Sequence, residues 1–193
     1  MALILNIETA TKNCSVSLGR DGELIALKEL NDQNYSHSEK LHSFILDVLK
    51  QAGVDKKSID AVAVSKGPGS YTGLRIGVST AKGLAYALEI PLLASGTLYN
   101  MAMGILTTDA VNRLLSEHGE RLLLCPMLDA RRMEVYAGFH KADGSVYREV
   151  RADIIGPESY RDILRSHEVC FFGNGAEKCK TALSHSHAHF IDD

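Results

Sequence analysis

The sequence of 193 residues contains no tryptophan, and none of its apolar runs approaches the roughly 20 residues that are needed to cross a bilayer. We therefore expect no membrane-spanning segment. The N-terminal stretch MALILNIE has neither a basic region nor a small-residue cleavage site, so it predicts a strand rather than a signal peptide. The composition, 45% hydrophobic and 23% charged, is that of a globular chain with room for one large domain or two small lobes.

Cysteine is scarce and unpaired in the sequence. The four cysteines form neither a CxxC pair nor a spacing typical of a disulfide framework; they are Cys14, Cys125, Cys170 and Cys179. This usage predicts buried, reduced thiols in a cytoplasmic protein.

Clustered positive charge is also missing. The net charge is −3, and the longest basic run is Arg131-Arg132. A protein that binds nucleic acid by itself normally carries a clustered basic face. We therefore expect any contact with RNA to be shared with a partner protein.

The hydrophobic pattern predicts the order β-β-β-α-β-α-β over the first hundred residues. The first helix can be capped by Ser36 or Ser38 and should end at Gly53, and the second should run to about Leu88. The second half repeats the plan, with helical material at 98–118, strands at 122–128, 133–139, 146–155 and 169–172, and helices at 157–166 and 176–183. The repetition predicts two α/β lobes, residues 1–100 and 101–193, related by duplication.

The loop at residues 67–73, GPGSYTG, resembles a phosphate-binding loop in its glycine content alone. A Walker loop requires G-x-x-x-x-G-K-[ST], because its lysine must reach the terminal phosphates, but Leu74 and Arg75 follow Gly73. The dinucleotide fingerprint is not met either. We therefore assign no nucleotide site to this loop.

The helix after the loop is apolar over most of its circumference, which is typical of a helix that is buried on more than one side. Small residues recur on it every four positions and would let another helix approach closely. We predict that the two helices of the first lobe bind another subunit, with packing inside one domain as the alternative. The candidate interface residues are Leu41, His42, Ile45, Leu46, Leu49, Gly73, Leu74, Gly77, Val78, Ala81 and Ala85.

Two carboxylates end equivalent strands of the two lobes, Glu8 in the first and Asp129 in the second. A duplicated fold could hold a magnesium nucleotide between such groups. A hairpin that cradles phosphate with its backbone N–H groups favours glycine, whereas Arg131 and Arg132 follow Asp129. An independent ATPase is therefore the alternative, and we predict no catalytic or cofactor-binding residue.

Three histidines alternate near the end of the chain, at His185, His187 and His189. On a strand their imidazoles would share one side, which makes metal binding possible. The only carboxylates that follow closely are Asp192 and Asp193. We therefore favour a polar, solvated segment and predict no metal site.

Three segments, LILNIETATKNCSVSL, SKGPGSYTGLRIGVSTAKGLA and LDARRMEVYAG, resemble the signature segments of the TsaB (YeaZ) family. The resemblance implies the fold of the actin-like and sugar-kinase ATPases, two RNase H-like lobes that are each a mixed sheet flanked by helices. It implies a non-catalytic subunit that pairs with the catalytic paralogue TsaD and with the ATPase TsaE. That complex places threonylcarbamoyl on the anticodon-adjacent adenosine of tRNA, and tRNA would be contacted only through the complex.

The resemblance also implies that the two lobe-one helices, about 38–52 and 72–88, are the pairing surface, and that the chain forms a homodimer when its partner is absent. Older family names imply a glycoprotease, so a metal-dependent peptidase is a further alternative, but the metal-binding histidines of the catalytic paralogue have no counterpart here. Glu8 stands where the ATPases of this superfamily have Asp, which further disfavours a magnesium role. Because the family continues for a few dozen residues beyond the position of Asp193, we expect its last segment to be missing.

Overall fold

The computed structural model describes residues 2–31 and 37–191, with His37 described by its backbone alone. The chain divides into two compact units, Met1–Thr97 and Leu98–Asp193. Each contains a five-stranded mixed sheet with helices packed on it, so the predicted fold class is confirmed. Within the described ranges, no helix is long and apolar enough to cross a membrane.

The first unit follows the predicted order of elements, and its sheet has the order β3-β2-β1-β4-β5. Strand β1 pairs antiparallel with β2 and parallel with β4. The elements are β1 (Leu3–Glu8), β2 (Asn13–Arg20), β3 (Glu23–Asn31), α1 (His37–Ala52), β4 (Ala61–Ser65), α2 (Tyr71–Leu88) and β5 (Leu92–Ser95). Ser38 lies inside α1 and so does not cap it, and Ser36 falls outside the described residues.

One hydrophobic core joins both helices of the first unit to its sheet. Residues of β1 and β2 alternate between buried and half-buried, as expected for strands with one face on the core. Helix α1 contributes Leu41 and Val48, both fully buried, and α2 contributes Ala81. Because α1 and α2 pack on the same core and contact each other, their outer surfaces lie on one side of the sheet.

The second unit repeats the topology of the first. Its sheet order is β8-β7-β6-β9-β10, with β6 antiparallel to β7 and parallel to β9. The elements are α3 (Thr97–Gly104), α4 (Asp109–His118), β6 (Leu122–Asp129), β7 (Glu134–His140), β8 (Val146–Ile154), α5 (Arg161–Leu164), β9 (Glu168–Phe172) and β10 (Ala188–Phe190). Matching strand order and direction in the two sheets support an origin by duplication.

Two predicted helices of the second unit are much shorter than expected. The helix predicted at 157–166 is reduced to α5, because Tyr160 adopts a left-handed backbone with φ of 60° immediately before it. The helix predicted at 176–183 is a single 3₁₀ turn, Glu177–Cys179. This short connection contributes three buried side chains to the core, Ala176, Cys179 and Leu183. Three side chains bury too little apolar surface to stabilise a longer helix.

The structure also contains a strand that the sequence did not predict. Ala188–Phe190 forms β10, which pairs in parallel with β9. The prediction of a solvated segment is therefore wrong for this stretch, although His185 is exposed. A three-residue strand is too short for its alternation to be recognised in the sequence.

Candidate functional site

The carboxylate of Glu8 is engaged by groups of its own unit. Its Oε1 accepts a hydrogen bond from the backbone N–H of Ala10 at 2.7 Å. Its Oε2 is hydrogen-bonded to the hydroxyl of Ser65, which lies at the end of the neighbouring strand β4. These contacts fix the turn after β1 and give Glu8 a structural role.

The equivalent carboxylate of the second unit is neutralised by a lysine. The Lys178 ammonium forms a salt bridge with Asp129 and donates to the backbone carbonyl oxygens of Arg132 and Glu134, at 2.7 Å each. The hydrogen bond from Lys178, against the opposing effect of partial burial, lowers the pKa of Asp129. A cation of the protein thus occupies the place beside Asp129 where a magnesium nucleotide would need the carboxylate.

The hairpin after Asp129 is closed by its own backbone. Arg131 and Arg132 have left-handed conformations, with φ of 72° and 44°, without the help of glycine. The N–H of Arg131 donates to Asp129 Oδ1 at 3.1 Å, and the N–H of Ala130 donates to the carbonyl of Glu134 at 3.1 Å. These two N–H groups are therefore not available to a phosphate.

The glycine-rich loop packs against the turn that follows β1. The N–H of Ser70 donates to the carbonyl of Ala10 at 2.6 Å, and a Cβ added at Gly69 would lie only 2.4 Å from that oxygen. The Ser70 hydroxyl in turn accepts from the N–H of Gly73 and caps helix α2. Close backbone approach and helix capping, rather than phosphate binding, explain why this loop has its sequence.

Most of the predicted interface residues lie inside the first unit. Those that are buried in its own core or against its own turns are Leu41, Ile45, Leu49, Gly73, Gly77, Ala81 and Ala85. Leu74 and Val78 are half-buried, and Val78 packs against the core. Gly77 packs against Thr9 and Ala81 lies in the core of the first unit, so these small residues are occupied by contacts within their own unit. Pairing through the predicted set stays a prediction.

Among the exposed side chains of α1 and α2 is a set that we call the helix face. It consists of His42 and Leu46 on α1 and of Arg75, Ser79, Lys82 and Tyr86 on α2. Leu46 is 68% exposed and Tyr86 is 88% exposed. On α2 these four residues follow a spacing of three and four, so they lie on one side of the helix. Tyr86 and Lys82 did not belong to the predicted set.

The predicted histidine segment is brought together with a carboxylate that the sequence did not indicate. His189 Nε2 lies 2.8 Å from Glu168 Oε2, and His187 Nε2 lies 3.7 Å from Glu168 Oε1. Glu168 is the first residue of β9, the strand that pairs with β10. The carboxylates that we considered, Asp192 and Asp193, lie outside the described residues.

The two mixed sheets, with matching strand order, place the chain in the class of duplicated α/β folds that the resemblance implies. A family model described as TsaD, tRNA N6-adenosine threonylcarbamoyltransferase, matches residues 31–188. The chain belongs to this family, and its resemblance to the TsaB (YeaZ) proteins is confirmed.

Relatives and solved structures agree with this assignment. The chain is 35% identical over 157 residues to the tRNA threonylcarbamoyladenosine biosynthesis protein TsaB of Escherichia coli K12, a match that covers 80% of the chain and 63% of that protein. It is 31% identical over 150 residues to the TsaB protein of Bacillus subtilis, covering 78% and 60%. The structure of YeaZ from Pseudomonas aeruginosa matches with a TM-score of 0.74 and 26% identity, covering 100% of the chain and 85% of that structure. The chain thus spans about three fifths of the length of these curated relatives.

Proposed function

We propose that this chain is a non-catalytic subunit in the biosynthesis of threonylcarbamoyladenosine in tRNA, and that it pairs with a catalytic TsaD protein. Two observations support a role in this pathway: the chain belongs to the family, and relatives that match over most of the chain are threonylcarbamoyladenosine biosynthesis proteins. A role on tRNA also fits a cytoplasmic protein with four free, buried cysteines.

The salt bridge between Lys178 and Asp129 is the main support for a non-catalytic role. In an ATPase of this fold, a strand-end carboxylate must be free to order a magnesium ion. Here Asp129 is already paired with an ammonium group that also binds two carbonyls of the same hairpin. Glu8 is likewise hydrogen-bonded by Ser65 and by the backbone. These contacts disfavour the ATPase alternative.

The helix face supports the pairing. Leu46 and Tyr86 are large side chains that are mostly exposed on neighbouring helices, and aromatic side chains frequently anchor protein interfaces. Lys82 and Arg75 provide a polar rim that could pair with acidic groups. We propose that TsaD covers this face, that the same face forms a homodimer when TsaD is absent, and that TsaE and tRNA join the heterodimer rather than the isolated chain.

Light scattering behind size exclusion tests the pairing, on this chain alone and mixed with the TsaD protein of the same organism. We expect a homodimer that converts into a one-to-one complex. Magnesium-dependent ATP turnover by the chain alone should stay at the level of a blank. A chain that stays monomeric and ignores TsaD would contradict the pairing, and steady ATP turnover that is lost in Asp129→Asn would contradict the non-catalytic role.

A further inference from the structure

A cluster of side chains that can bind a metal lies in the second unit. His118 ends α4, Glu168 begins β9 and His189 lies in β10. One ligand atom of each residue lies within 4.8 Å of the corresponding atoms of the other two. The rings of His118 and His189 are 5.3 Å apart between centroids. The fold therefore collects three ligands from elements that are distant in sequence.

The carboxylate of this cluster is buried: Glu168 is only 7% exposed. A buried carboxylate is costly unless it is paired or bound to a metal. The buried carboxylate of Glu168 thus lies within reach of imidazole nitrogens, and carboxylate and imidazole are ligands that Zn²⁺ binds.

His118 supplies an independent sign that a ligand is expected. Its Nε2 atom is buried and has no hydrogen-bond partner among the residues that the structure describes. Buried polar atoms are hydrogen-bonded in the great majority of cases, so an orphaned ring nitrogen requires an explanation. The carboxylate of the neighbouring Glu117 lies 3.7 Å from it, beyond hydrogen-bonding distance. A metal bound at this nitrogen would satisfy it.

His187 lies beside the cluster in a suitable tautomer. Its Nδ1 lies 2.7 Å from the carbonyl oxygen of Leu164, which can only accept, so Nδ1 carries the proton. In the neutral ring Nε2 is then unprotonated, and it faces Glu168 at 3.7 Å. Histidines that bind metals commonly donate their other ring N–H to a backbone carbonyl in this way.

From this geometry we propose that His118, Glu168 and His189 form a divalent metal site that takes Zn²⁺. His187, which is near Glu168 but outside this set of three mutually close ligands, is the candidate for the fourth position. Zinc accepts imidazole and carboxylate ligands in a tetrahedral arrangement, and four protein ligands make a closed structural site. The metal ties β10, the edge strand of the sheet, to β9 and to the end of α4. The metal would hold β10 in place rather than take part in a reaction.

The test uses the full chain without a tag, stripped with a chelator and titrated with Zn²⁺ against a chromophoric competitor. We expect one tightly bound equivalent and a melting temperature that rises with free Zn²⁺. Co²⁺ substitution should give the strong visible absorption of a tetrahedral site. His118→Asn, Glu168→Gln and His189→Asn should each weaken binding by at least about 100-fold, since loss of a ligand costs no less than loss of a supporting contact.

The matched control is His185→Asn, because His185 is exposed and lies in the same segment of the chain as His187 and His189. It should leave the affinity within about twofold of the unmodified chain, whereas binding through loose surface histidines would weaken it as much as His189→Asn does. Glu168→Gln keeps the size of the side chain, and far-UV circular dichroism will establish that this variant is folded. Less than one equivalent bound, equal effects of His185→Asn and His189→Asn, or an octahedral Co²⁺ spectrum would each overturn the proposal in favour of a simple Glu168–His189 ion pair.

Discussion

Gly77 lies directly against Thr9: a Cβ added at Gly77 would be 2.2 Å from the Thr9 hydroxyl oxygen. The same hydroxyl donates to the carbonyl of Gly73, one turn earlier in α2, at 2.8 Å. The turn after β1 therefore packs on the backbone of α2, and the four-residue spacing of small residues serves this contact within the unit.

Gly77→Ala should destabilise the protein, because the added methyl overlaps a buried side chain that is itself hydrogen-bonded to the helix. We expect a loss of about 1–3 kcal/mol in the free energy of unfolding, measured by urea denaturation. Gly83→Ala on the same helix is the matched control, since a Cβ there meets nothing within 4 Å. It should raise stability by up to about 1 kcal/mol through helix propensity. Equal effects of both substitutions would contradict the packing argument.

The order of elements in the first unit was predictable, because long amphipathic helices and alternating strands leave a clear period in the sequence. The sequence did not predict which structure the small-residue side of α2 packs against. The small residues of α2 could in principle pack against their own unit or against another subunit. Only the hydrogen bond of Thr9 with Gly73, across 64 positions, shows that this side of α2 packs within the unit. Lys82 and Tyr86, which the predicted set did not include, are exposed on α2.

The remaining features depend on contacts between residues that are distant in sequence. Lys178 meets Asp129 across 49 positions, and Glu168 meets His189 across 21. Neither pair leaves a motif, and both lie next to elements that the sequence predicted poorly, the 3₁₀ turn Glu177–Cys179 and the strand β10. Short elements carry too few residues for a period to be recognised.

Lys178→Met should lower the free energy of unfolding by about 1–2 kcal/mol, because it leaves the carbonyls of the hairpin without their donor. It should also raise the pKa of Asp129 towards its ordinary value, since the hydrogen bond from Lys178 is the largest cause of its lowering. An NMR titration of the Asp129 carboxyl measures the second effect. Lys180→Met is the control: this lysine pairs with the exposed Glu177, so its loss should cost under about 0.5 kcal/mol. An unchanged Asp129 titration would show that Lys178 does not hold the carboxylate.

His140 should make the protein less stable as the pH falls below 6.5. Burial lowers its pKa from that ordinary value, so the folded chain keeps the ring neutral while the unfolded chain takes up a proton. The unfolded state then binds more protons, and stability declines by up to about 1.4 kcal/mol per pH unit until His140 also protonates in the folded state.

His140→Leu should flatten this decline, measured by urea denaturation between pH 8 and 5. It should also raise stability at neutral pH by about 1 kcal/mol, since both ring nitrogens are buried without a hydrogen-bond partner among the described residues. A decline of the same steepness in His140→Leu would assign it to other histidines.

Leu46→Arg and Tyr86→Arg should prevent the proposed pairing without unfolding the chain. Both side chains are mostly exposed, so replacing them costs little stability, whereas a buried charge at the centre of an interface is strongly unfavourable. We expect each to weaken the complex with TsaD by about 30-fold or more, equivalent to about 2 kcal/mol, in a titration followed by calorimetry. The control is Leu24→Arg on β3, where the leucine is 63% exposed but lies outside the helix face. If Leu24→Arg weakened the complex and the two helix variants did not, TsaD would bind the edge of the sheet instead of the helices.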